Sequence, residues 1–393
     1  MSGAGPVYLD YAASAPVDPR VTHAMAAALA QLPANPSSVH ASGRRAREAV
    51  ECARAQVAAL LGAPPASIVF TSGATESDNL AVLGAARAGR ARGRHLVTSR
   101  TEHRAVLDAC RRLEREGFEV SWLRPGGDGR ILAEQVAEVL RPDTILVSVM
   151  HANNETGVLN EVAAIGALCR ARGVLLHVDA AQSAGRVDLD VEALGADLVA
   201  LTGHKLGGPK GIGALYVRRL PRPPLEPLLY GGGQEGGLRP GTLPTHQAVG
   251  FGLACELARE ALPTEAPRVR ALREDLWQRL ARLGHVERNG VAEPSVPGIL
   301  NVFFAGIEGE SLLLELEASV EASSGSACSS ASAEPSYVLR ALGRSDAAAQ
   351  ASLRLSLGRF TTAGDVARAG AAIAAGVERL RALAPPGALE RIA

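Results

Sequence analysis

From residue 66 to residue 220, short β-rich apolar runs alternate with alanine- and arginine-rich stretches of helical spacing. The runs occupy residues 67–71, 95–98, 118–122, 144–149, 174–178, 197–201 and 213–217. Runs that are apolar at consecutive positions suit strands buried on both faces, and helices between them supply the crossovers of a parallel sheet. The pattern therefore predicts an α/β fold whose large domain carries a mostly parallel seven-stranded sheet. After the proline-rich stretch 221–227 and the glycine-rich stretch 231–237 the pattern changes. Residues 245–285 read as long helices. A new apolar run at 299–303 opens a smaller C-terminal α/β unit. We expect a large domain over 15–260 and a small domain formed by 1–14 with 261–393. The domain change falls within the helical region at 255–265.

Composition narrows the classes. The 393 residues contain 41 Lys+Arg against 41 Asp+Glu, so bulk charge selects neither nucleic acid nor an anionic membrane as a partner. No basic segment followed by an apolar one opens the chain, and no apolar run approaches the roughly 18–20 residues of a membrane span. The five cysteines, Cys52, Cys110, Cys169, Cys255 and Cys328, are scattered and odd in number, with no C-x-x-C pair. That argues against a disulfide framework or a closed zinc site and for a reducing, cytoplasmic setting.

In a parallel sheet, ligands sit beyond the carboxyl ends of the strands. Lys205 directly follows the run 197–201, where a desolvated amine can form a Schiff base with an aldehyde; a solvated lysine is the bland alternative. Asp179 ends the run 174–178 and would need a cationic partner if buried, or would serve as a helix cap. The segment Phe70-Thr71-Ser72-Gly73-Ala74-Thr75-Glu76 joins a strand to a helix start rich in glycine and hydroxyls, which is an anion site or a set of plain caps. His103 follows the run 95–98 and could stack on a flat ring or move a proton. Cys328 lies in Glu321-Ala322-Ser323-Ser324-Gly325-Ser326-Ala327-Cys328-Ser329, whose small polar residues predict an exposed loop, whereas the other four cysteines sit in helix-like contexts as packing residues. An amine, a carboxylate, an anion site and an imidazole on one sheet edge are the inventory for pyridoxal 5'-phosphate (PLP).

With these residues in view, the chain resembles the cysteine desulfurases of the IscS/NifS type, within the fold-type I PLP enzymes. The matching stretches include Tyr8-Leu9-Asp10-Tyr11-Ala12, Phe70 to Asn79, Thr101-Glu102-His103, His151-Ala152-Asn153-Asn154-Glu155-Thr156-Gly157, His177-Val178-Asp179-Ala180-Ala181-Gln182, Gly203-His204-Lys205, Ser323 to Cys328, and Arg354-Leu355-Ser356-Leu357-Gly358-Arg359. The resemblance implies that Lys205 holds PLP, Asp179 pairs with the ring nitrogen, Gln182 contacts the ring hydroxyl and His103 stacks on the ring. It implies phosphate contacts from Ala74, Thr75, Thr202 and His204, with Thr242 reaching the phosphate of a partner subunit in a homodimer. Asn154 and Arg354 would bind the carboxylate of substrate L-cysteine. Cys328 would accept the sulfur as a persulfide and pass it to an iron–sulfur scaffold protein or to another acceptor in tRNA or cofactor thiolation. In a complex with such a scaffold, Cys328 would also be a shared iron–sulfur ligand. An ordinary aminotransferase or lyase with an incidental Cys328 is the competing reading. Two departures stand out: Gly207 sits where relatives often carry an aromatic residue, and the chain ends soon after 385–387, where longer relatives continue into a scaffold-docking tail.

Overall fold

The structure, a computed structural model, describes residues 5–324 and 334–384. A short strand, β1 (Val7–Tyr8), comes first. The seven expected strands follow: β2 (Ile68–Thr71), β3 (His95–Ser99), β4 (Glu119–Leu123), β5 (Thr144–Ser148), β6 (Leu175–Asp179), β7 (Leu198–Thr202) and β8 (Gly213–Val217). They form one sheet in the order β2-β8-β7-β6-β5-β3-β4. Pairing is parallel throughout except at β8, which runs antiparallel to both β2 and β7.

Adjacent positions on these strands supply opposite faces, as a two-residue period requires. Val97, Val147, Val199 and Phe70 enter one hydrophobic cluster, while Leu96, Leu146, Leu198 and Val69 enter another on the far side. Both faces are therefore dry except at the edge strand β4, where Glu119 and Ser121 alternate with Val120 and Trp122.

Four further strands, β9 (Val286–Arg288), β10 (Ile299–Phe304), β12 (Ser323–Ser324) and β13 (Ser352–Ser356), make an antiparallel sheet in the order β12-β13-β10-β9. β11 (Val320–Glu321) pairs in parallel with β1. Val7, Leu9, Leu300, Val302, Leu353, Leu355 and Ile373 share a separate core there, so the start of the chain packs with its C-terminal third. The helix Thr245–Ala281 runs from one core to the other. Its Phe251, Ala254 and Cys255 enter the large-sheet core, and its Val269, Leu276 and Leu280 enter the small one. Pro263 and Pro267 lie inside it and remove two backbone donors between those halves.

One expectation is corrected. Cys110, Cys169 and Cys255 are buried, and burial raises their thiols, Cys169 to about 12. Cys52 is exposed instead. On the helix Ala41–Leu60 the buried face runs through Ala46, Val50, Ala53 and Val57, and the helical period turns Cys52 outward.

Candidate active site

The carboxyl ends of β3, β5, β6 and β7 lie side by side, and each leads into a sequence-selected residue. β7 runs into Gly203-His204-Lys205, a single 3-10 turn. β6 ends on Asp179. The segment after β5 carries Asn154, and the one after β3 carries His103, the N-cap of the helix Arg104–Arg115. Across β8, β2 delivers Thr71 to the start of the helix Ala74–Gly89. One cavity of about 470 Å³ collects these positions: Ala74, Thr75, His103, Asn154, Asp179, Gln182, Thr202, His204, Lys205 and Arg354 all line it. Thr242 does not line it and is exposed. Cys328 lies outside the described residues.

The helix Ala74–Gly89 begins on Gly73, and no side chain caps it. Neither Ser72 nor Thr75 is the N-cap residue, and Gly73, Ala74 and Thr75 at the helix start line the cavity. Gly213, the first residue of β8 and paired with Thr71 and Thr202, lets the turn approach: a Cβ there would lie 2.7 Å from the Gly73 Cα and 2.3 Å from the Leu201 carbonyl oxygen. Asp179 Oδ1 accepts the Ala181 N–H at 2.8 Å in a turn; no helix starts there, so Asp179 is not a helix cap. Behind it, His177 Nε2 lies 3.4 Å from Asp78 Oδ1, both residues fully buried. Burial, then the nearby Asp179 and Glu102 carboxyl groups, raise Asp78 well above the ordinary range, while burial lowers His177 to about 4.

His103 Nδ1 accepts the Ala105 N–H at 3.2 Å, which puts the proton of the neutral ring on Nε2. Burial, then the positive charge of Lys205, lower its pKa and keep the ring neutral. Protonation at Nδ1 would give up the cap, so the ring is better arranged to donate from Nε2 than to collect a proton. His204 is lowered to about 4, mainly by burial and then by Lys205, and its Nδ1 sits 3.3 Å from Ser14 Oγ.

Arg354 points from β13 of the small sheet into the large-domain site and is 2 % exposed. Its Nη1 donates to the Asn154 carbonyl and its Nη2 to Asp10 Oδ1, both at 3.0 Å. Its Nε and the Asn154 side-chain oxygen are buried without a hydrogen-bond partner. Gln182 donates from Nε2 to the Ala12 carbonyl at 2.8 Å and accepts from Arg186 Nη1, leaving one Nε2 hydrogen. Asp10, Ala12–Ser14, Arg186 and Lys210 were assigned no role from the sequence. The matched stretch from Tyr8 to Ala12 was the available signal for Asp10 and Ala12. At Gly207 φ is +78°, and a second cavity of about 60 Å³ adjoins it together with Lys205, Leu206 and Tyr11.

The residues present fit PLP. A lysine, a carboxylate, an uncapped helix start and a neutral imidazole surround a cavity of its size, and an unpartnered guanidinium nitrogen remains for an anionic substrate group. Among the described residues no helix is long and apolar enough to cross a membrane, and no cluster of three or more His, Cys, Asp or Glu is arranged to hold a metal ion.

Comparison with known proteins agrees. The aminotransferase class-V family model matches residues 7–369. A cysteine desulfurase IscS from Aeromonas hydrophila subsp. hydrophila is 55 % identical over 383 residues, covering 97 % of this chain and 95 % of that one. Among solved structures, a NifS-like protein superposes with a TM-score of 0.87 at 33 % identity, covering 96 % of this chain and 99 % of its own. A structure of SspA in complex with cysteine superposes at 0.81 with 40 % identity, covering 90 % and 99 %. The chain belongs to the aminotransferase class-V family of PLP-dependent enzymes, and its full-length likeness is to the cysteine desulfurases within it.

Proposed function

We propose that this enzyme is a cysteine desulfurase that converts L-cysteine and the Cys328 thiol to L-alanine and a Cys328 persulfide. The observation that carries the proposal is the single cavity in which Lys205, Asp179, the uncapped start of the helix Ala74–Gly89 and the unpartnered Arg354 Nε meet.

Bound PLP supplies the electron sink. Ala74, Thr75, Thr202 and His204 would hold its phosphate, the last through an N–H rather than a charge. Asp179 would keep the ring nitrogen protonated, and Gln182 and His103 would hold the ring. Arg354 and Asn154 fix the substrate carboxylate, with Asp10 orienting the guanidinium from behind. Lys205, which would hold the cofactor aldehyde, would also move the proton at the substrate Cα. The Cys328 thiolate attacks the substrate sulfur: one S–S bond forms, the C–S bond breaks, and the carbon fragment takes up a proton to leave as alanine. The enzyme acts as a homodimer in the cytoplasm. Thr242 of each subunit serves the other's phosphate, and the persulfide passes to an iron–sulfur scaffold protein or another sulfur acceptor.

Borohydride reduction followed by peptide mapping tests the assignment of the amine. The cofactor should be fixed on the peptide containing Lys205, and Lys205→Ala should abolish alanine formation from cysteine. Label on another lysine would refute the site.

A further inference from the structure

The segment leading to Thr242 is fastened to the protein at two points that no role above explains. Its glycine-rich turn Gln234–Gly237 contains Glu235 at φ 52°, ψ 37°, a left-handed conformation uncommon for a residue with a side chain. The Glu235 side chain is 2 % exposed. Its Oε2 accepts Arg54 Nη1 and the Phe70 N–H, each at 2.7 Å, and its Oε1 accepts Arg54 Nη2 at 2.8 Å. Arg54 also donates to the Ile68 carbonyl at 2.8 Å and lies 4.7 Å above the Phe70 ring. Glu235 therefore occupies the free edge of β2, the outermost strand, by taking over the hydrogen-bonding role of an absent neighbour.

The second fastening is four residues on. Arg239 Nε donates to Glu76 Oε1 at 2.9 Å, and Glu76 Oε2 accepts the Ser72 N–H at 2.7 Å. Gln234 Oε1 accepts the Gly241 N–H at 2.9 Å and closes the loop on itself, next to Thr242. The two fastenings bracket one short segment: Phe70 precedes the uncapped helix start, and Glu76 lies in its first turn. A buried carboxylate held by three donors is costly to rearrange, because freeing any partner leaves a desolvated charge.

We infer that Arg54–Glu235 and Arg239–Glu76 join the phosphate cradle of one subunit to the Thr242 loop that serves the other, so that these four residues position the partner's cofactor as well as their own. The inference rests on the homodimer proposed above. It makes the two sites mechanically linked: a cradle shaped by its own phosphate presents Thr242 correctly to the neighbouring one. Tyr230 and Leu229, beside this loop, are 79 % and 50 % exposed, as apolar residues awaiting a second copy would be.

Hybrid dimers of two differently tagged full-length chains test this. One chain carries Lys205→Ala together with Arg239→Met; the other is unaltered, so only its site can fix PLP to Lys205. The readout is the fraction of cofactor that borohydride still fixes at successive times after dilution. Against a hybrid carrying Lys205→Ala alone, loss of PLP from the unaltered subunit should quicken about tenfold, the equivalent of one charge-assisted hydrogen bond. Glu235→Gln in place of Arg239→Met should act in the same direction, and it serves if the first variant folds poorly. An unchanged rate with either variant in a hybrid that forms normally overturns the inference and leaves the dimer standing. Failure of any hybrid to form, with the wild type sedimenting as a single chain, overturns the dimer and the inference together.

Discussion

In the proposed function, Arg354 is the residue on which substrate recognition turns. It is buried, with its two Nη atoms bonded to Asn154 and Asp10 and its Nε unsatisfied. A lysine there keeps the charge and loses the planar fork. Arg354→Lys should therefore raise KM for cysteine about tenfold or more while the cofactor absorbance stays; steady-state kinetics beside a spectrum of the same sample checks it. An unchanged KM would move the carboxylate site elsewhere. Glu102 makes a different prediction. It is fully buried, its Oε1 accepts the Ser99 hydroxyl at 2.7 Å, and its Oε2 has no partner. Burial pushes its carboxyl from 4.5 up to about 8. Between those values the folded protein holds a proton that the unfolded chain has released, so stability falls as pH rises through the window, by up to about 1.4 kcal/mol per pH unit. Glu102→Gln should flatten that decline in melting temperature between about pH 5 and pH 8. Lys205, Asp179 and His103 were not legible singly; their joint placement at strand carboxyl ends of one sheet is what marked the site. Arg354 was not legible from pattern: it sits mid-strand in Ser352–Ser356, where alternation says only that it faces one side. Only the family resemblance singled it out. Asp10 meets Arg354, and Arg186, besides Gln182, donates to the Tyr11 and Lys205 carbonyls; no local pattern encodes contacts so distant in sequence.

At the scale of elements, the site depends on how closely β8 lets the turn after β2 approach. Gly213 is the spacer, since any side chain there would press on the Leu201 carbonyl and on Gly73. Gly213→Ala should lower the melting temperature and weaken PLP retention together, whereas Gly173→Ala, at a helix end with open space around it, should leave the cofactor in place. Comparing PLP content of the two purified variants decides it. Six of the large-sheet strands are buried along their whole length or nearly so, which made their runs readable; the edge strand β4 was read instead from Val120 and Trp122 alternating with Glu119 and Ser121. The antiparallel course of β8 was not readable, because direction depends on the short connection after Lys205 and not on the strand's own residues. The helix Thr245–Ala281 was expected as more than one helix. Its two internal prolines suggest a break, yet packing of each half against a different core keeps the element continuous.

For the whole molecule, the account requires two chains. Thr242 is exposed and away from its own chain's cavity, so Thr242→Ala should leave the sedimentation behaviour of a dimer unchanged and speed PLP loss about tenfold. A variant that holds PLP as tightly as the wild type would remove Thr242 from the site. The sulfur-accepting end rests on Cys328, and the most direct measurement is made there. Enzyme mixed with L-cysteine, without reductant or acceptor, is digested and the Cys328 peptide weighed while alanine is counted. The account predicts one added sulfur on that peptide, one alanine per added sulfur, and neither in Cys328→Ala, which still retains PLP. Alanine formed at an undiminished rate by Cys328→Ala, or sulfur appearing on Cys52 instead, would contradict it.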